Sequence, residues 1–386
     1  MKKFYVFDAE ANGLLDTVTK IHCAVFISLD GEEVIFTPDN IHELPSFLDT
    51  VDVACGHNCI GYDFPLFKKV LGYEYKGEKI DTLIMSRLLN PKRILPPHAK
   101  DRKQGPHSVY AWGVRVGVDK PEHNDWENYS PEMLHRCRED ARIQVKIYKE
   151  LLKEAADKDW DNAFRLTFRL FENLHNQEMA GWYFDKEKAN ANISLLNHWI
   201  DKFARVSEPR WPLLIEPAEQ KIKGEYKFVQ KPFLKNGSYS ASVVTWMEAH
   251  GFEGRIVEGP FSRINIRHVD IESAKELKDY LLGLGWEPAA WNFDDSGERT
   301  SPKLSKDDPF DGIEDKIGKF VAKRVQCKQR LGGVQGLLDS VREDGRIPSR
   351  VSGLAATGRA THAGVANIPK VSSFFGRQMR KMFSSA

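Results

Sequence analysis

The sequence predicts an α/β domain followed by a mostly helical part, and three observations lead there. Residues 1 to about 160 alternate short apolar strand signals with helix signals. From about Asp161 the apolar spacing becomes helical, and the 386 residues exceed the usual size of a single domain, so two or three domains are expected. The predicted strands are Tyr5–Phe7, Cys23–Ser28, Val34–Phe36 and Val51–Cys55, with helices near Phe64–Val70 and Ser130–Glu154. The long helix has Ser130 as N-cap and Pro131 in its first turn, and Ile143, Ile147 and Leu151 recur every four positions as a buried face. Beyond it, Phe164, Phe168, Phe171 and Leu174 stand at helical spacing and read as core. Residues 210–262 break the pattern: Pro212, Pro217, Pro232 and Pro260 punctuate turns at Lys221-Ile222-Lys223-Gly224 and Lys235-Asn236-Gly237, as an inserted region does.

Composition narrows the classes. The net charge of +1 does not announce a polyanion partner, but Lys316, Lys319, Lys323, Arg324, Lys328 and Arg330 recur through one helical stretch and Arg377, Arg380 and Lys381 crowd the C-terminus. Phosphate contacts depend on such local clusters rather than on the sum, and a solvated helix face is the alternative. The five cysteines are scattered without Cys-x2-Cys spacing, so neither a zinc site nor a disulfide framework is expected. No apolar stretch approaches the ~20 residues of a membrane span, and Met1-Lys2-Lys3 leads straight into a strand, so a cytoplasmic location without membrane contact is expected.

The acidic residues carry more information. Residues i and i+2 of a strand share a face, so Asp8 and Glu10 offer two carboxylates to one site while Phe7 and Ala9 face the opposite layer. Asn58 and Asp63 emerge together where a strand turns into a helix, and Asp140 lies one turn before the apolar stripe of the long helix. Four carboxylates from a strand, a turn and a helix suit two Mg²⁺ or Mn²⁺ ions, which prefer oxygen ligands. Such a pair, roughly 3.5 to 4 Å apart, serves in-line phosphodiester displacement.

The ordered set Asp8-Ala9-Glu10, Asn58 with Tyr62-Asp63, and Asp140 on a helix resembles the three exonuclease motifs of the DEDD superfamily as found in family A DNA polymerases. Ile80-Asp81-Thr82-Leu83-Ile84-Met85-Ser86-Arg87-Leu88 and His107-Ser108-Val109-Tyr110-Ala111-Trp112-Gly113 are similar to segments of the phage replicative branch. Gln177-Glu178-Met179-Ala180-Gly181-Trp182-Tyr183-Phe184-Asp185 resembles the link to the thumb, and Thr357-Gly358-Arg359-Ala360-Thr361-His362 with Asn367-Ile368-Pro369 resembles the opening of the palm. The resemblance implies a ribonuclease-H-like exonuclease domain over 1–160, a helical linker and thumb over 161–345 with the insertion at about 210–262, and the start of a palm over 346–386. It implies a two-metal 3′-5′ proofreading exonuclease in which Asp8 bridges both ions. Glu10 and Asp140 complete the tighter site, and Asp63 holds the second ion through water. Asn58 and Tyr62 would position their loop or the scissile phosphate, and Leu14 would wedge against the terminal base of a single-stranded 3′ end. Arg359 would reach the minor groove of a primer-template, with Thr357 and His362 shaping that turn.

Two features qualify the resemblance. Relatives usually carry Tyr four residues before the last Asp, where this chain has Arg136. His135 has the spacing of the superfamily's histidine branch, which makes it a candidate general base. If the helix runs unbroken from Ser130, however, i−4 stands about 40° from Asp140 and i−5 about 140°, so either the helix begins later or His135 is a surface side chain. The sequence also stops before the strand that bears the first polymerase aspartate in the family. A split polymerase whose C-terminal half supplies palm and fingers, a shortened chain and a stand-alone nuclease all fit, and the first is preferred. An apolar tail, Phe374, Phe375, Met379, Met382 and Phe383, is then expected to be exposed for that partner. By position alone, the resemblance offers the insertion as a place for a thioredoxin-like processivity factor, with a plain DNA-grazing loop as the alternative. The alternative function is a DNA-binding or scaffold subunit of weakened nuclease activity, and an RNA-trimming DEDD enzyme is the third.

Overall fold

The computed structural model describes residues 2–99, 104–118, 125–217, 221–222, 225–226, 233–252, 264–294, 296–305 and 308–383. Its first part is built on a mixed five-stranded sheet of β1 (Phe4–Ala11), β2 (Ile21–Ser28), β3 (Glu33–Phe36), β4 (Val53–Gly56) and β5 (Glu78–Asp81), in the order β3-β2-β1-β4-β5. The central β1 runs antiparallel to β2 and parallel to β4. The helices are α1 (Leu44–Leu48), α2 (Asp63–Leu71), α3 (Thr82–Leu89), α4 (Val109–Val116), α5 (Pro131–Glu154) and α6 (Asp161–Ala180).

Strand alternation decides what each face of β1 meets. Tyr5, Phe7, Ala9 and Ala11 pack into a layer with Leu44, Leu48, Phe64 and Phe67 of α1 and α2. Val6, on the other face, packs with Ile143, Ile147 and Leu151 of α5. Asp8 and Glu10 continue the Val6 side and therefore turn toward α5. β1 is longer than the Tyr5–Phe7 strand expected, so both acids sit inside it, and a bulge follows between Glu10 and Ala11. α5 starts as expected, with the Ser130 hydroxyl accepting the Met133 amide at 3.2 Å, and Met133, Cys137 and Ala141 lie on Cys23, Val25 and Ile27 of β2.

By its contacts the chain divides into two units, one holding Met1–Phe184 and Ser340–Ile368, the other Asp185–Asp339 and Pro369–Phe383. In the first, Trp182–Tyr183 pairs antiparallel with Arg346–Ile347, and the hairpin Val351–Leu354/Ala360–His362 follows. In the second, the long helices Lys186–Ser207 and Lys316–Asp339 pack together. Short strand pairs, Leu213–Pro217 with Ile264–His268 and Trp291–Phe293 with Arg299–Pro302, interrupt what the sequence suggested was mostly helix. Much of the Pro- and Gly-punctuated insertion at 210–262, including Lys223-Gly224, Pro232 and Pro260, lies outside the described residues.

One expectation about the second unit is corrected. The apolar tail is not exposed: Phe375, Met379 and Met382 are buried, and Phe374 and Phe375 lie 6.1 and 6.0 Å from the Trp199 ring. Much of the basic helix also serves internal contacts. Arg324 and Lys328 both pair with Glu272, Lys323 stands 4.9 Å over the Phe374 ring, and the buried Arg330 donates to the Phe374 carbonyl at 3.0 Å. The five cysteines are buried free thiols, and among the described residues no helix is long and apolar enough to cross a membrane.

Candidate active site

Where β1 packs on α5, carboxylate oxygens of Asp8, Glu10 and Asp140 lie within 4.8 Å of one another. α5 supplies the rest of this wall through the i, i+4, i+8 row of Arg136, Asp140 and Gln144. The Gln144 amide, 1% exposed, donates to Asp8 Oδ1 at 2.6 Å, and the Cys137 thiol donates to the Asp8 carbonyl at 3.3 Å. Arg136 Nε stands 3.4 Å from Glu10 Oε1 and 3.8 Å from Asp140 Oδ2, with the guanidinium 4.7 Å over the Trp126 ring. Carboxylates this close repel one another unless protonated or countered by a cation. An all-oxygen donor set of this kind fits a hard divalent ion such as Mg²⁺ or Mn²⁺ and suits zinc poorly.

Asp63 stands outside that trio. It is the first residue of α2 and buried, and its carboxyl is pushed up to about 8 by burial, with Asp81 and then Glu10 adding to the rise. The loop leading to it is held by Asp81, at the end of β5. Asp81 Oδ1 accepts the amides of Asn58, Leu83 and Ile84 at 3.0, 3.0 and 3.3 Å, and Oδ2 accepts that of Ile60 at 3.1 Å. One side chain thus caps α3 and ties down the turn in which Asn58 takes a φ of 65°. Tyr62 donates from its hydroxyl to the Gly13 carbonyl at 2.5 Å, and burial ahead of Asp63 and Glu10 pushes its phenol up to about 12. The next residue, Leu14, is 75% exposed, on a turn that Asn12 secures by accepting the Thr19 and Lys20 amides at 3.0 Å each. A large apolar side chain is thereby presented to solvent on a braced loop.

The remaining candidates sit elsewhere. α5 runs unbroken from Pro131, so His135 is exposed and about 140° around the helix from Asp140, while Arg136 takes the position beside the acid. The later beginning of the helix that His135 needs as a general base is therefore not what the structure has. Thr357, Arg359 and His362 are exposed on the hairpin, whose turn closes through the Gly358 amide onto the Ala355 carbonyl at 2.9 Å with Gly358 at φ +74°. The hairpin seats on α3 at Gly353, where a Cβ would meet the Arg87 guanidinium at 1.8 Å. Gln144 and Asp81 were not singled out in the sequence. Gln144 was detectable as one turn beyond Asp140, and Asp81 as a cap residue before Thr82-Leu83-Ile84-Met85.

The raised Asp63 carboxyl makes a stability prediction for the metal-free protein. With about 8 in the fold against an ordinary 3.8, the native state keeps a proton that the unfolded chain has released. Stability from this group is complete below the ordinary value and is lost as pH rises through about 8. In EDTA, Asp63→Asn is expected to melt above wild type, with a gap that opens as pH rises from about 4 to about 8. A gap independent of pH would contradict this.

No family model matches the chain. Among curated proteins it is similar to the DNA-directed DNA polymerase of Enterobacteria phage T3, 24% identical over 462 residues, which cover 98% of this chain and 65% of the relative. The enzyme of Escherichia phage T7 is 24% identical over 474 residues with the same coverage, and that of Escherichia phage Phieco32 is 26% identical over 175 residues, 41% of this chain and 28% of the relative. The chain thus spans 65% of the length of the first two. Among solved structures, the POL domain of Pol1 from M. smegmatis in complex with DNA primer-template and dNTP matches with a TM-score of 0.61 at 16% identity, covering 99% of this chain and 55% of that one.

Proposed function

We propose that this chain, similar over 98% of its length to the DNA-directed DNA polymerases of phages T3 and T7, is a relative of the phage family A polymerases and that residues 1–160 form a ribonuclease-H-like 3′-5′ exonuclease that hydrolyses phosphodiester bonds at DNA 3′ ends. The observation that carries the reading is the meeting of Asp8, Glu10 and Asp140 within 4.8 Å. Asp8, Glu10 and Asp140 would hold a divalent ion, Mg²⁺ or Mn²⁺, and Asp63, with Asp8, would serve a second. When bound, such ions activate a water and stabilise the attacking and leaving oxygens of the displacement.

Gln144 fixes the orientation of the Asp8 carboxylate, the Asp81-braced loop places Asn58, Tyr62 and Asp63, and Leu14 lies against the terminal base of an unpaired 3′ end. Residues 161–345 act as linker and thumb. From 346 onward the chain contributes the start of a palm, with Arg359 at the primer-template minor groove and Thr357 and His362 beside it. DNA synthesis is proposed only in company with the rest of a palm and with fingers. The thioredoxin-like factor expected at about 210–262 rests on chain position alone.

A DNA-binding subunit of weakened nuclease activity is a second reading, favoured by one observation, the Arg136 side chain lodged among Glu10 and Asp140. Gln144→Leu is expected to lower nuclease activity about 10- to 100-fold, as loss of a residue orienting a metal ligand does. Raising Mg²⁺ should recover part of it, and an unchanged rate would remove Gln144 from the site. The function itself is tested with a sulfur at one non-bridging oxygen of the 3′-terminal linkage. One diastereomer should be cut at least about 10-fold slower in Mg²⁺ and recover in Mn²⁺, which tolerates the softer sulfur ligand. Equal rates for both diastereomers in both metals would contradict a metal-phosphate contact.

A further inference from the structure

α5 brings a cation of its own into the carboxylate trio. Arg136 is 16% exposed and lies on the helix row that also carries Asp140, and its Nε is 3.4 Å from Glu10 and 3.8 Å from Asp140. The guanidinium rests on Trp126 at 4.7 Å, so an aromatic face holds it above the acids. Among closely spaced carboxylates this is the charge that a divalent ion would otherwise provide.

The contacts are those of a lodged counter-ion rather than a locked pair. Charge-assisted N–H···O bonds close to about 2.7–2.9 Å, and Arg93 makes such a fork with Glu154 at 2.9 and 2.6 Å. Arg136 stands farther off from both of its acids. We propose that Arg136 is a resident counter-cation of the trio that must withdraw from Glu10 and Asp140 when a divalent ion binds, so that its release sets the metal affinity of the site. This inference rests on the reading of Asp8, Glu10 and Asp140 as a metal centre.

The test is a Mn²⁺ titration of the full chain, followed by calorimetry and by the electron paramagnetic resonance signal of free Mn²⁺, for wild type, Arg136→Gln, Arg136→Tyr and Arg136→Lys. Circular dichroism verifies folding, and two uncharged replacements are used so that the loss of either one on folding grounds leaves the other. Removing a unit charge a few ångströms from the ion should tighten Mn²⁺ binding at least about tenfold in the Gln and Tyr variants. The Lys variant, which keeps the charge, should stay within about threefold of wild type. A residue that only supports the packing of α5 would weaken metal binding when replaced, the opposite sign. Uncharged variants that fold and bind Mn²⁺ no more tightly than wild type would overturn the proposal while leaving the metal centre standing. Absence of binding in all four proteins would overturn the metal centre and this proposal with it.

Discussion

Asp8→Ala combined with Glu10→Ala is expected to lower Mg²⁺-dependent shortening of DNA 3′ ends by about 10³-fold or more. Ions held at such a site supply several kcal/mol of charge stabilisation, and about 1.4 kcal/mol corresponds to a factor of ten. Both side chains lie on the α5 side of β1, and the core contacts of that strand come from Tyr5, Val6, Phe7 and Ala9. The double variant should therefore fold. Its melting temperature should stay close to wild type in EDTA, because removing two mutually repelling acids offsets the loss of the Arg136 and Gln144 contacts. Retention of more than about a tenth of the wild-type rate would show that the trio does not perform the chemistry.

The largest stability effect is expected at Asp81. Its carboxylate is 1% exposed and accepts four backbone amides, from Asn58, Ile60, Leu83 and Ile84. Asp81→Ala leaves those donors without their acceptor at the start of α3 and in the loop before Asp63, at a cost of roughly 3 to 5 kcal/mol. Asp81→Asn should be milder, since a single Oδ1 can retain the three amides now on that atom and only the Ile60 amide faces an NH₂ group. Urea unfolding of the three proteins at one pH measures both effects. An alanine variant within about 1 kcal/mol of wild type would show that the loop and helix hold without this cap.

How far the sequence foretold these features depended on whether they were local. Alternation along a strand sufficed to put Asp8 and Glu10 on one face, and Ser130-Pro131 with the Ile143, Ile147, Leu151 stripe marked α5. The same helical arithmetic put Arg136 rather than His135 beside Asp140 on condition of an unbroken helix, and left His135 open as a base until the start of α5 at Pro131 was known. β5 went unseen because Glu78-Lys79-Ile80-Asp81 is short, charged and only partly buried, without the apolar alternation that marks a strand. Asp63 matches the motif in order, yet its separation from the trio depends on how α2 and the Asp81-braced loop pack, which no spacing encodes. Burial of the apolar tail likewise depends on Trp199, some 175 positions earlier in the chain, a long-range contact beyond any pattern rule.

The most direct measurement follows a 5′-labelled single-stranded oligonucleotide incubated with the wild-type chain and Mg²⁺. Stepwise shortening from the 3′ end, abolished by EDTA, is the predicted result. Persistence of the full-length oligonucleotide, or cleavage within it rather than from its end, would contradict a 3′-5′ exonuclease built on Asp8, Glu10, Asp63 and Asp140.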